Sequence, residues 1–296
     1  MPGPDVTIVG TGALAALIGA RLSRAGRDVT LLGSWRAAIA SIASAGITVD
    51  DRSGRWSAPA RACRIEDAVE PVPIVMVLVK SHQTAAIAGA VARAVAADGL
   101  VLSLQNGLGA REILVDAAGA ERVVTGVAFL GATVLGPGRV SDRGGSRIVI
   151  EECGRSAPAA DALRAAGFAV PLVRDIQPTV WAKLAVNCAI NPLGALRRVT
   201  NGVLLADSEV RMTLEAAARE VGAVAAALGI RLERDPAALA VEVARETEEN
   251  RCSMLQDVER GAPTEIEALN GAVVREAERV GVPVPVNRQL WEALRA

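Results

Sequence analysis

The 296-residue chain contains no tyrosine, one histidine (His82) and two phenylalanines. Of its 32 basic residues only Lys80 and Lys183 are lysine, so arginine was used at nearly every other cationic position. The missing tyrosine excludes the Tyr–Lys proton donor of short-chain dehydrogenases. A single histidine leaves little room for a His–Asp pair and weakens any metal site. The four cysteines, Cys63, Cys153, Cys188 and Cys252, are far apart and form no CxxC pair, so neither a zinc site nor a disulfide framework is expected. A formal charge of −1 with no basic block argues against a nucleic-acid partner. The longest apolar runs, such as 74–79, fall far short of the roughly 20 residues a membrane span needs. The first residues lack the basic region of a signal peptide, so a cytoplasmic location is expected.

What is present is apolar and periodic, 51% hydrophobic and long enough for two ordinary domains. Residues 6–9 form a short apolar run that breaks into Gly10-Thr11-Gly12. A helical pattern over 13–25 comes next, closed by Gly26, and 29–32 is a second strand. The alternation continues through strands at 74–79 and 100–104 with a helix at 84–97 between them. This predicts an α/β domain, a Rossmann-type doubly wound and mostly parallel sheet over 1–175. Within it, 121–151 reads as further strands with turns at Gly136-Pro137-Gly138 and Gly144-Gly145. From 176 to 296 the pattern becomes helical, at 178–196, 207–228, 235–251 and 264–280, predicting an all-helical second domain. The absence of a flexible linker predicts that the two share an interface where substrate binds.

Gly10-Thr11-Gly12-Ala13-Leu14-Ala15 leaves a strand and opens a helix, so unpaired N–H groups and the positive helix end meet where a pyrophosphate can sit. Ala15 replaces the usual third glycine and still permits close helix–strand approach. At the end of the second strand, where an NAD enzyme places an acid for the ribose 2′-hydroxyl, the chain has Ser34 and Arg36. This favours NADP, with Arg36 as an ordinary solvated first helical residue as the alternative.

Lys183, Asn187 and Asn191 are spaced i, i+4, i+8 and therefore share one helix face. Leu184, Val186 and Ile190 around them point to a cleft, against the alternative of an amphipathic surface stripe. Pro192 is expected to end or kink this helix. Lys183 is the acid that the missing tyrosine leaves vacant: an ammonium beside a developing alkoxide stabilises its charge and donates a proton. Downstream, Thr264 and Glu267 read as a capping box, which would make Glu265 a helix-dipole residue.

Five ordered blocks carry a resemblance over essentially the full length: the turn at Gly10, 79–83, 105–109, the helix around Lys183, and 253–257 with 264–267 and Asn270-Gly271. In these the chain resembles the ketopantoate reductase (2-dehydropantoate 2-reductase) family. The resemblance implies that NADPH reduces the ketone of a small 2-oxo acid, 2-dehydropantoate, to (R)-pantoate on the way to pantothenate and coenzyme A. It makes Lys183 the general acid, with Glu265 orienting either that lysine or the nicotinamide ribose. It assigns Asn187, Asn191, Asn201 and the stretch from Asn250 to Ser253 to the substrate, and Asn106 to both ligands. Lys80, Ala132 and Glu265 would line the cofactor side. The chain departs from the family pattern at Ser34, where arginine is frequent, at Gly194, where threonine is common, and at Cys252, where serine is frequent. A relative that reduces another 2-oxo acid, a 3-oxo acid or an imine is therefore a second expectation, and a non-catalytic NADP-binding sensor a third. Oligomeric state stays open, a homodimer among the possibilities.

Overall fold

The computed structural model describes residues 5–67 and 69–295. It opens with β1 (Val6–Val9), α1 (Ala13–Arg24), β2 (Val29–Gly33) and α2 (Arg36–Ala45), followed by three short strands, β3 (Ile47–Asp51), β4 (Gly54–Ala58) and β5 (Arg61–Arg64). Next come β6 (Val72–Val77), a 3-10 turn (Ser81–Gln83), α3 (Thr84–Ala94), β7 (Val95–Ser103) and α4 (Ala110–Ala118). A long hairpin of β8 (Val123–Gly136) and β9 (Arg139–Glu151) precedes α5 (Ser156–Ala165) and β10 (Leu172–Val173). The remainder is helical: α6 (Gln177–Arg197), a 3-10 turn (Asn201–Leu205), α7 (Ser208–Ala227), α8 (Pro236–Glu246), α9 (Ser253–Glu259), α10 (Asn270–Val280) and α11 (Pro285–Arg295). Two compact units result, Met1–Gln105 with Ala110–Ile176, and Asn106–Gly109 with Gln177–Ala296.

In the first unit β5, β2, β1, β6, β7 and β8 lie side by side, all parallel. β1 and β2 are buried on both faces, as parallel strands covered by helices on each side must be. Period-two alternation then sorts the side chains. Ile8, Ile74 and Met76 join the core shared with α1 and α5, whereas Val9, Val75 and Val77 join the core shared with α3 and α4. β1 lies between β2 and β6, so the order of connection reverses there, and ligands of such sheets bind at the carboxyl ends of the strands beside that reversal. The sheet continues past the parallel set, with β9 antiparallel to β8, β3 parallel to β9 and β4 antiparallel to β3.

Several expectations need correction. Gly144 and Gly145 are not a turn between strands. They lie inside β9, with φ of +99° and +81°, where its register against β8 slips opposite Gly131. Glycine supplies those angles at no steric cost. The helix expected over 264–280 begins only at Asn270, because Glu267 is not a cap: its carboxylate accepts from Trp291 Nε1 at 3.0 Å and from Arg275 at 3.3 Å. The helix expected to 251 stops at Glu246.

Pro192 does not end α6, which runs through it to Arg197. Proline lacks the N–H that would bond the Cys188 carbonyl one turn back. A donor from outside the helix takes its place: Asn270 Nδ2 reaches that oxygen at 3.0 Å. Around it Trp181, Leu184, Leu214, Val221 and Val273 form the core of the second unit. Among the described residues no helix is long and apolar enough to cross a membrane, and no cluster of side chains is arranged to hold a metal ion.

Candidate active site

The first unit carries one group of candidate residues, the turn after β1. Gly10 N–H donates to the Leu32 carbonyl at 2.7 Å, and its φ of +139° is open only to glycine. A Cβ there would stand 3.0 Å from the Leu78 carbonyl oxygen, so the bare backbone is what keeps the cradle open. Gly12 begins α1 with no side chain capping it and no acid in the first turn. The amides of Ala13, Leu14 and Ala15 thus open the helix with its positive end undiminished, the arrangement that receives a phosphate. Thr11 packs its side chain where a Cβ on Gly33 would be, 2.6 Å away, which brings the end of β2 against the turn. Ser34 and Arg36 come directly after, both exposed, with Arg36 the first residue of α2.

Lys80 comes just after the neighbouring strand β6, and its N–H donates to Gln83 Oε1 at 3.1 Å. Gln105, just beyond β7, ties these ends together through Nε2, which donates to the Val79 carbonyl at 3.1 Å and to Thr84 Oγ1 at 2.8 Å. Ala132 is placed differently. It sits on β8 in register with Asp142 of β9, in the antiparallel extension rather than in the Gly10 turn.

The helical unit carries a group of its own. Lys183, Asn187 and Asn191 lie along α6, each about 6 Å further along the axis. Lys183 and Asn187 are half-buried and Asn191 is buried. The protein packed around Lys183 removes water from its ammonium and pulls its pKa down from 10.5 to about 8, while the carboxylate of Glu265 pushes the other way. Burial dominates, so the amine exchanges its proton near neutral pH. Glu265 is only 5% exposed and accepts a hydrogen bond from Asn106 Nδ2 at 3.5 Å. Lysine, carboxylate and amide, which come from three distant stretches of sequence, therefore form one group.

Asn106 is anchored through its two successors in the chain. Leu108 N–H donates to the Ala268 carbonyl at 2.9 Å, and Gly107 passes that oxygen with φ +81°, where a Cβ would come within 2.3 Å of it. Gly107→Ala is expected to lower stability by about 1–3 kcal/mol, read as a drop in thermal unfolding temperature, because a left-handed angle and a backbone clash must both be relieved.

The segment before α9 belongs to the same helical unit. Asn201 N–H donates to the Asn250 carbonyl at 3.0 Å, and Asn201 Nδ2 donates to Thr247 Oγ1 at 2.8 Å. Among the described residues Asn201 Oδ1 is buried without a hydrogen-bond partner, an acceptor suited to a donor such as a ligand hydroxyl. Cys252 caps α9 with its sulfur, which accepts from Leu255 N–H at 3.4 Å, and its thiol points to the Asn191 carbonyl at 3.5 Å. A Cβ on Gly194 would stand 3.0 Å from that sulfur, so the small residue at 194 and the thiol of Cys252 fit one another. Ser253 is the exposed first residue of α9. Sequence reasoning passed over Thr247, Gly107 and Asn270 as individual residues. Only the last left a signal, a proline inside a helix that needs a substitute donor.

Two family models match the chain, "Ketopantoate reductase PanE/ApbA" over residues 6–155 and "Ketopantoate reductase PanE/ApbA C terminal" over 175–296. A 2-dehydropantoate 2-reductase of Archaeoglobus fulgidus is 37% identical, over 98% of this chain and 96% of its own. The crystal structure of a PanE/ApbA family ketopantoate reductase from Ralstonia eutropha superposes with a TM-score of 0.92 at 33% identity, over 98% and 97% of the two chains. A ternary structure of D-mandelate dehydrogenase with NADH and anilino(oxo)acetate has a TM-score of 0.93 at 24% identity, over 98% and 97% of the two chains, a likeness of fold.

Proposed function

Because this chain belongs to the ketopantoate reductase family, we propose that it reduces 2-dehydropantoate to (R)-pantoate with NADPH, Lys183 being the proton donor. The observation that carries the reading is the half-buried Lys183 ammonium, drawn to about 8 by its surroundings and opposed by Glu265. A general acid works best when its pKa lies near the operating pH, and this amine lies there without metal or histidine.

The Gly10 turn and the first amides of α1 hold the pyrophosphate, and Ser34 with Arg36 hold the 2′-phosphate, since no carboxylate stands at the end of β2 to accept a 2′-hydroxyl. Lys80 and Ala132 line the dinucleotide side. When bound, the reduced nicotinamide supplies the hydride that the ketone carbon receives. Lys183 hydrogen-bonds the ketone oxygen, stabilises the charge growing on it and passes it a proton, leaving a neutral amine. Glu265 keeps the ammonium protonated and orients it, and Asn106 fixes Glu265 in turn. Asn187, Asn191, Asn201 and Asn250 receive the substrate's hydroxyl and carboxylate with Ser253, the orphaned Asn201 Oδ1 accepting from the hydroxyl.

The complementary pair Gly194 and Cys252 beside Asn191 supports a second reading, reduction of another 2-oxo acid by the same residues. One assay separates them: loss of NADPH absorbance with 2-dehydropantoate against a panel of 2-oxo acids, 3-oxo acids and imines, repeated with NADH. The expected result is highest kcat/KM with 2-dehydropantoate and NADPH. Equal efficiency with NADH sinks the role of Ser34 and Arg36, and tight NADPH binding without turnover on any compound marks a sensor.

A further inference from the structure

The break that Pro192 makes in α6 falls between two residues assigned to the substrate. The carbonyl it deprives of a partner belongs to Cys188, directly after Asn187, and the proline itself directly succeeds Asn191. Asn270, fully buried, donates from Nδ2 to that carbonyl at 3.0 Å and to Asn287 Oδ1 at the same distance, so its donor capacity is used up. The amide cannot be turned over, because its oxygen would then face the carbonyl oxygen. Asn287, also fully buried, spends its Nδ2 on the Ala217 carbonyl at 2.9 Å and on Glu220 Oε2 at 2.7 Å. Glu220 in turn accepts the Val286 and Asn287 N–H groups, each at 2.9 Å. The chain of bonds runs from carboxylate to amide to amide to helix carbonyl, and it ties α7, α11 and α10 to one point of α6.

Asn270 accepts a penalty to do this, since among the described residues its own Oδ1 is buried without a partner. An alanine at 192 would close the helix by itself and need no donor at 270, so the pair is a poor route to stability. What the pair changes is the path of the backbone between Asn187 and Asn191.

We propose that Asn270 is a positioning residue for the reduction, which sets the pitch of α6 between Asn187 and Asn191 so that both meet the substrate together. The inference rests on the reading of that helix face as the substrate's. In Asn270→Ala, KM for 2-dehydropantoate should rise about ten- to a hundredfold, the scale on which a displaced positioning group acts, while the Kd for NADPH by fluorescence titration stays within about twofold. Pro192→Ala restores the internal bond to Cys188, and in that background the same Asn270→Ala change should alter KM by no more than about threefold. A lowered Tm with unchanged KM, or an equal KM factor in both backgrounds, overturns the proposal. If the alanine chain does not fold, Asn270→Leu, which removes the donor and keeps the volume, is judged by the same criteria. Wild-type protein without activity on 2-dehydropantoate would count against the proposed substrate alone. Amide hydrogen exchange then decides the role of Asn270: faster exchange confined to 187–193 in the variant supports it, and exchange unchanged there or raised uniformly overturns it.

Discussion

Replacing Lys183 with alanine should lower kcat by about 10²–10³, the scale on which a preorganised charge beside a developing oxyanion acts, and leave NADPH affinity unchanged. Lys183→Arg should fall nearly as far. A guanidinium keeps its charge but does not release its proton at neutral pH, and its planar fork does not fit where a compact ammonium stood. The pair therefore separates charge from proton transfer. Stopped-flow absorbance of NADPH under single-turnover conditions reads the chemical step directly, and near-normal rates in either variant would remove Lys183 from the role of acid.

The second large effect is on pH. With Lys183 at about 8, kcat/KM for reduction should be level below that pH and fall tenfold per unit above it. Oxidation of the alcohol, which needs the neutral amine, should rise through the same pH. Glu265 opposes the burial that depresses Lys183, so Glu265→Gln should shift both limbs to lower pH.

Stability responds in the opposite sense from a lysine that gains a partner. The folded state sheds the Lys183 proton near 8 while the unfolded chain keeps it until about 10.5, so the unfolded state binds more protons in that window and stability rises with pH across it. Relative to Lys183→Met, the wild-type chain should gain up to about 3 kcal/mol between pH 8 and 10.5, measured by denaturant unfolding at a series of pH values. A flat difference would mean that Lys183 is solvated like any surface lysine. Because the chain has only two lysines, selective 13Cε labelling gives two lysine resonances and titrates Lys183 directly.

The local part of both candidate groups was legible in the sequence because it rests on spacing. Lys183, Asn187 and Asn191 share a face whatever surrounds them, and the Gly10 turn announces itself between β1 and α1. What could not be read was non-local. The fate of α6 at Pro192 depends on a donor 82 residues beyond Cys188, which no helix rule contains. Glu265 looked like a helix-dipole residue because Thr264 and Glu267 have cap spacing, but Trp291 and Arg275 claim Glu267 and the helix starts later. β3, β4 and β5 escaped notice because they are short and carry arginines, aspartates and tryptophan on half-exposed faces, so their strand character comes from the neighbours they pair with.

The bonds that complete α6 also impose an order on synthesis. Gln177–Arg197 leaves the ribosome well before Asn270, and Asn270 before Asn287, so the Cys188 carbonyl is without its permanent partner while the next eighty residues are made. The sheet of the first unit, finished by Val173, has every strand it needs by then. A nascent chain of this protein thus completes its sheet before the helix that carries Lys183, Asn187 and Asn191 has its outside donor, and that helix is among the last parts of the molecule to become final.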